Sequence, residues 1–160
     1  MDINKAFTIL LGFEGGISNN PNDKGGLTKY GISKASYPDV DLANLTEEKA
    51  KDIYNRDYWE AAGCDLVKDE LRYALFDTAV NMGVKEAIKL LQQACGAAID
   101  GALGAETLGK SNTITIADYL LCRLLRYNAI MDANTSQIVF RKGWTSRVAA
   151  IYNMQKQGQV

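Results

Sequence analysis

Apolar residues recur at three- and four-residue spacing from the start of the chain. Ile3, Ala6, Phe7, Leu10 and Phe13 fall on one helix face, which Asp2 can cap and Gly15-Gly16 can stop. The pattern then breaks: Pro21, Gly25, Gly26 and Gly31 favour turns and short irregular hairpins over a helix. Helical periodicity returns at Thr46, a cap followed by Glu47 and Glu48 in the first turn, with Ala50, Ile53 and Tyr54 directed inward and Trp59 expected in the core. Leu71, Leu75, Phe76, Ala79 and Val80 form a further run that Gly83 can terminate. Two longer helices follow. One carries Ile116, Leu120, Leu121, Leu124, Tyr127 and Met131; the other carries Val139 or Phe140, Trp144, Val148, Ile151 and Tyr152, and both stripes read as core rather than as a cofactor site. The expected fold is mainly α, with a small turn-rich or β flap after the first helix.

The flap holds the candidate chemistry. Glu14 falls at a helix C-terminus, where unsatisfied carbonyls concentrate negative potential, and the apolar face beside it would withhold water. Both effects raise a carboxyl pKa and favour the protonated form that a general acid requires. The alternative is a solvated terminal Glu. Asp23 follows after eight intervening residues and Thr28 after four more. Hydrolysis of a glycosidic bond commonly uses two carboxyl groups, one protonating the leaving oxygen and one assisting water or the sugar cation, and a threonine hydroxyl could hold that water. The competing readings are an Asx-turn for Asp23 and a plain strand position for Thr28.

These residues carry a resemblance. Glu-Gly-Gly at 14–16, Pro21, Asp23, Gly25-Gly26, Thr28 and Gly31-Ile32 resemble the opening signature of glycoside hydrolase family 108, the bacterial and phage N-acetylmuramidases. Tyr58-Trp59, Phe76-Asp77, Val80-Asn81-Met82-Gly83, Asp100-Gly101 with Gly104 and Thr107, and Gly143-Trp144 with Arg147 follow in the family's order. The resemblance implies a lysozyme-like helical fold and cleavage of the β-1,4 bond between N-acetylmuramic acid and N-acetylglucosamine in peptidoglycan glycan strands. It implies Glu14 as general acid, Asp23 as the group that activates water or stabilises the cation, and Thr28 as the group that orients water or sugar. Asn81 would line the sugar groove, the alternative being an amide that caps local backbone. Tyr30 is the flap's aromatic candidate for sugar contact. Asp77 is expected to be solvated at the surface, with support of the groove as its alternative role, and Arg147 to pin its helix by an ion pair or stacking, or to lie on the surface. Ile17 stands where the family often has an aromatic, and Lys24 and Ala105 where proline is common.

A second pattern lies between 84 and 110. Leu90, Leu91 and Gln92, then Asp100-Gly101, Gly104 and Thr107, resemble peptidoglycan-binding modules, although glycine turns that dock two helices would produce the same letters. The scaffold reading is favoured. One domain spanning 1–160 is expected, with 1–83 as the catalytic lobe and 84–160 as a helical lobe resembling such a module.

Composition narrows the chemistry. The chain has no histidine, which removes Ser-His-Asp and Cys-His hydrolysis, His-ligated zinc sites and any imidazole acid or base. Cys64, Cys95 and Cys122 are three in number without paired CxxC spacing, so buried free thiols are expected, in keeping with a reducing cytoplasm. No metal or organic cofactor is implied. The net charge of −1 gives no basic argument for nucleic acid, and Phe7 to Phe13 is too short to span a bilayer and lacks a cleavage site. Expectations are therefore a monomer that acts on the wall after synthesis without a signal peptide, makes no membrane insertion, and meets an immunity or delivery protein as its further partner. The alternative functions are a non-catalytic wall-binding or secretion-associated protein on the same scaffold and a glycosidase of chitosan or chitin type.

Overall fold

The computed structural model describes residues 1–13 and 28–160; Glu14 and Asp23 lie outside the described residues. Among these, seven α-helices and one two-stranded hairpin form two compact units, residues 2–57 and residues 58–160 together with Met1.

In the first unit, α1 (Ile3–Phe13) starts where the Asp2 carboxylate accepts the Lys5 amide at 2.9 Å, and it buries Ala6, Phe7 and Leu10. The hairpin pairs β1 (Thr28–Lys29) with β2 (Ile32–Ser33), Thr28 opposite Ser33 and Lys29 opposite Ile32. Its two-residue loop, Tyr30-Gly31, has φ of 53° and 76°, as a primed turn demands. Thr46 caps α2 (Glu47–Tyr54) by accepting the Lys49 amide at 3.3 Å, and Glu47 and Glu48 complement the positive helix end. Tyr54 closes α2 against the Phe7 ring, centroids 5.3 Å apart, and its hydroxyl donates to the Tyr30 carbonyl at 3.2 Å. A Cβ at position 31 would meet that hydroxyl at 2.5 Å, so the turn requires glycine for space as well as for φ.

A π-helical stretch, Asn55–Glu60, continues from α2. In the second unit, Trp59 is buried, meets Phe76 edge-on with centroids 5.6 Å apart, and donates its indole N–H to Asp65 at 2.9 Å. The helix α3 (Asp69–Met82) packs on α4 (Val84–Cys95) and α6 (Ile116–Ala133), with the single residue Gly83, φ 89°, turning α3 into α4. By compactness, residues 58–83 group with the C-terminal helices. After the short α5 (Ala105–Ser111) and α6, a 3₁₀ segment (Thr135–Phe140) leads into α7 (Arg141–Lys156).

The two late stripes are only partly core. Along α6 the buried face is Ile116, Leu120, Arg123, Tyr127 and Met131, while Leu121 is 56% exposed. Successive helical residues are about 100° apart, and Leu120 takes the inward position. Val148 and Ile151 are buried on α7, whereas Val139, Phe140 and Tyr152 are exposed, the first two because the 3₁₀ segment places them outside the α-helical register. Cys64 and Cys122 are buried free thiols, Cys95 is half-buried, and burial pushes the Cys64 thiol well above its ordinary range.

Candidate active site

The flap's described part is the hairpin. Residues opposite each other in an antiparallel pair share a face, so Thr28 and Ser33 lie on one side and Lys29 with buried Ile32 on the other. Thr28 is half-buried at the start of β1. Tyr30, also half-buried, is held in its left-handed conformation by the turn and by the Tyr54 hydroxyl on its carbonyl; the Lys29 ammonium lies 5.8 Å from its ring centroid.

In the second unit the landmarks around 76–83 and 143–147 meet. Asp77 was expected at the surface; it is fully buried instead. Its carboxylate accepts from Arg123 Nη1 at 2.6 Å on α6 and from Arg147 Nε at 2.9 Å on α7, so one side chain of α3 ties three helices. Arg147 thus takes the ion-pair role. Burial is the largest single effect and works against the Arg123 charge, but the Asp77 carboxylate and the Tyr127 hydroxyl together outweigh it and raise the guanidinium above its ordinary value. Arg123 Nε also donates to the Tyr127 hydroxyl at 3.1 Å, and the Tyr127 ring stacks on Trp144, centroids 4.5 Å apart and 13° from parallel.

Asn81 stands one turn beyond Asp77. Its amide nitrogen donates to the Asp77 carbonyl at 2.7 Å, the local backbone bond expected under the alternative to a sugar-groove role. A cavity of about 210 Å³ opens beside it, lined by Asn81, Glu86, Arg126, Tyr127, Ile130 and Trp144 among others, with Arg126 and Glu86 ion-paired. This pocket combines an amide, a charge pair and ring edges, a lining suited to a hydroxyl-rich ligand. Sequence reading missed Arg123 and the depth of Asp77 because charged letters were assigned to the surface. The available signal was spacing: 116, 120, 123, 127 and 131 step by four, three, four and four, a single helix face that includes Arg123.

The Gln92 pattern resolves differently. Buried Gln92 donates to Asp100 at 2.7 Å and to the Ala102 carbonyl at 2.9 Å, approaches Thr107 at 3.3 Å, and accepts the Gly101 amide at 2.8 Å. Its amide is saturated by the very letters of the motif, so Gln92, Asp100, Gly101 and Thr107 dock α4 to the turn before α5. Among the described residues, no group of three His, Cys, Asp or Glu side chains could hold a metal ion.

The family model described as Glycosyl hydrolase 108 matches residues 7–83. The solved structure titled "Structure of Brucella abortus SagA" is similar over 97% of this chain and 94% of its own, at 30% identity and a TM-score of 0.79. The chain belongs to the glycosyl hydrolase 108 family. Its fold is mainly α and lysozyme-like. A comparison with curated proteins gave no match. The family segment runs from Phe7, the ring under Tyr54, through Thr28 and Tyr30 to Asp77, Asn81 and Gly83, and so contains every position proposed for catalysis or sugar contact. Arg123, Trp144 and Arg147 lie beyond that segment but within the length shared with SagA.

Proposed function

We propose that this member of the glycosyl hydrolase 108 family is an N-acetylmuramidase that cleaves the β-1,4 bond between N-acetylmuramic acid and N-acetylglucosamine in peptidoglycan. The observation that carries the reading is the family match across 7–83, which spans Glu14, Asp23 and Thr28 in one segment. Glu14, the residue after the last turn of α1, gives its proton to the glycosidic oxygen. Asp23 activates water or stabilises the oxocarbenium-like cation, and Thr28 orients the water or the sugar. Tyr30 and Asn81 contact sugar. The saturation of Gln92 speaks against a separate glycan-binding role for the 100–107 pattern and so favours hydrolysis over simple wall adhesion.

The test compares wild type with Glu14→Gln on purified sacculi, reading released reducing ends and identifying the sugar at each new end. A general-acid deletion should lower turnover by about 10²–10⁴-fold with an unchanged circular dichroism melt. Unchanged turnover removes Glu14 from the acid role. Release of N-acetylmuramic acid reducing ends supports muramidase specificity; preference for chitin oligomers over sacculi overturns it.

A further inference from the structure

The net charge of −1 conceals a segregation. No Asp or Glu follows Asp132, while Arg141, Lys142, Arg147 and Lys156 do, leaving 14 cations against 19 carboxylates, a net of −5, over the first 132 residues. Two of the four late cations are engaged within their own unit, Arg147 on Asp77 and Lys156 at 6.0 Å from the Tyr152 ring centroid. Arg141 and Lys142 are exposed in the first turn of α7, which holds no acidic residue. Cations there oppose the positive end of the helix dipole, so helix stability does not account for them.

Immediately before them stand three apolar residues in a row that the fold does not bury. Ile138 is 44%, Val139 75% and Phe140 49% exposed. In a 3₁₀ turn successive side chains diverge by about 120°, so the three project in different directions as a knob and offer no flat face. The knob has a firm base. Phe140 stacks on Trp144 at 5.7 Å, Trp144 on Tyr127, and Tyr127 is bonded to the buried Arg123 that Asp77 holds.

We propose that Ile138, Val139, Phe140, Arg141 and Lys142 form a peripheral docking site for an anionic lipid surface, the apolar knob entering the interface while the two cations face the headgroup charge. A fluid apolar phase accepts side chains that diverge, which a preformed protein groove does not, and the adjacent cations select a negative surface. Self-association through the knob would bring Arg141 and Lys142 of two copies together and is opposed by repulsion. Attachment is peripheral, since no helix among the described residues is long and apolar enough to cross a membrane.

The experiment is flotation of the full-length protein with vesicles of phosphatidylglycerol and phosphatidylcholine, against pure phosphatidylcholine, in about 0.1 M salt. Two double variants accompany it, Ile138→Ser with Val139→Ser, and Arg141→Gln with Lys142→Gln; these positions are exposed, and thermal melts check the fold. Binding is expected on the anionic vesicles only, weakened about tenfold or more by either double variant, since each cation near such a surface contributes on the order of a five-fold factor. Equal binding to neutral vesicles, or anionic binding untouched by the serine pair, overturns the proposal. Capture of a poly-glutamate peptide without vesicle binding also overturns it and assigns the patch to an acidic protein partner. Glu14→Gln should bind vesicles like wild type, so this test stands or falls apart from the catalytic one.

Discussion

Residues 58–160 are braced by a buried charge, whereas residues 2–57 are braced by a tyrosine hydroxyl. In the larger unit Asp77 sits at zero exposure with Arg123 equally buried and Arg147 beside it, and the three side chains join α3, α6 and α7. In the smaller unit Tyr54 spans from the Phe7 ring on α1 to the Tyr30 carbonyl in the hairpin. The difference is one of consequence. A buried ion pair that loses a partner leaves a charge out of water, while a neutral hydroxyl that is removed leaves only one carbonyl to be satisfied elsewhere. The smaller unit contains the positions proposed for acid catalysis, and it is held by the weaker kind of tie.

The widest gap between the two braces should appear on removing the Asp77 charge. Asp77→Asn keeps the shape but strands Arg123, and a loss of about 3–5 kcal/mol is expected from denaturant unfolding. Replacing all three members by apolar residues of similar volume should recover much of that loss, because the penalty lies in the orphaned charge. A variant that melts like wild type would mean that the ion triad is not the brace.

The corresponding change in the smaller unit is milder. Tyr54→Phe keeps the ring against Phe7 and deletes the donor to Tyr30, for an expected loss of about 0.5–1.5 kcal/mol. Gly31→Ala acts on the same contact from the other side, adding a Cβ at 2.5 Å from the Tyr54 hydroxyl in a residue with φ of +76°, and the conformational part alone costs about 1–2 kcal/mol. If Tyr54→Phe proved as damaging as Asp77→Asn, the contrast between the units would fail.

Local signals in the sequence were readable where a single residue decides an outcome. Asp2 and Thr46 cap helices, Gly83 ends α3, and Trp59 is core, because caps, glycine stops and large apolar rings act within a few residues of chain. The triad was not readable in the same way, since its members lie 46 and 70 residues apart and each looks like a surface charge until the partner is known. Val139 and Phe140 erred in the opposite sense: apolar letters in apparent helical register were assigned to the core, but the 3₁₀ segment turns them to solvent. Gln92 shows a third case, where a motif's letters describe a docking of helices by one buried amide. Of the candidate site, Thr28, Tyr30 and Asn81 fall among the described residues, while Glu14 and Asp23 lie outside them and rest on their place in the sequence and on the family match.

Acid sharpens the comparison least, yet it tests whether the units differ in where their carboxylates are anchored. In the smaller unit the depressed carboxyls are bonded over shorter spans: Asp41 to Asn44, and Asp57 first to Arg56 next in sequence and also to the Tyr37 hydroxyl, 20 residues away, at 2.9 Å. In the larger unit Glu70 accepts the Ile116 amide at 2.9 Å across 46 residues, and that bond, followed by Lys68, holds its carboxyl below the ordinary value of 4.5 against the opposing effect of burial. At the same helix start Asp118 is lowered from 3.8 by the Thr115 backbone and hydroxyl. A carboxyl depressed in the folded state contributes fully above its unfolded pKa; as pH falls the unfolded chain protonates first, and the contribution is lost down to the folded pKa. Stability should therefore be flat above about pH 5 and decline below 4.5 through the region where Glu70 and then Asp118 take up protons. Glu70→Gln should remove under about 1 kcal/mol at neutral pH and make the acid limb of the melting profile shallower. An unchanged limb would show that the Glu70 bond to α6 carries no acid sensitivity, and that the longer-span and shorter-span carboxylates are equivalent in this protein.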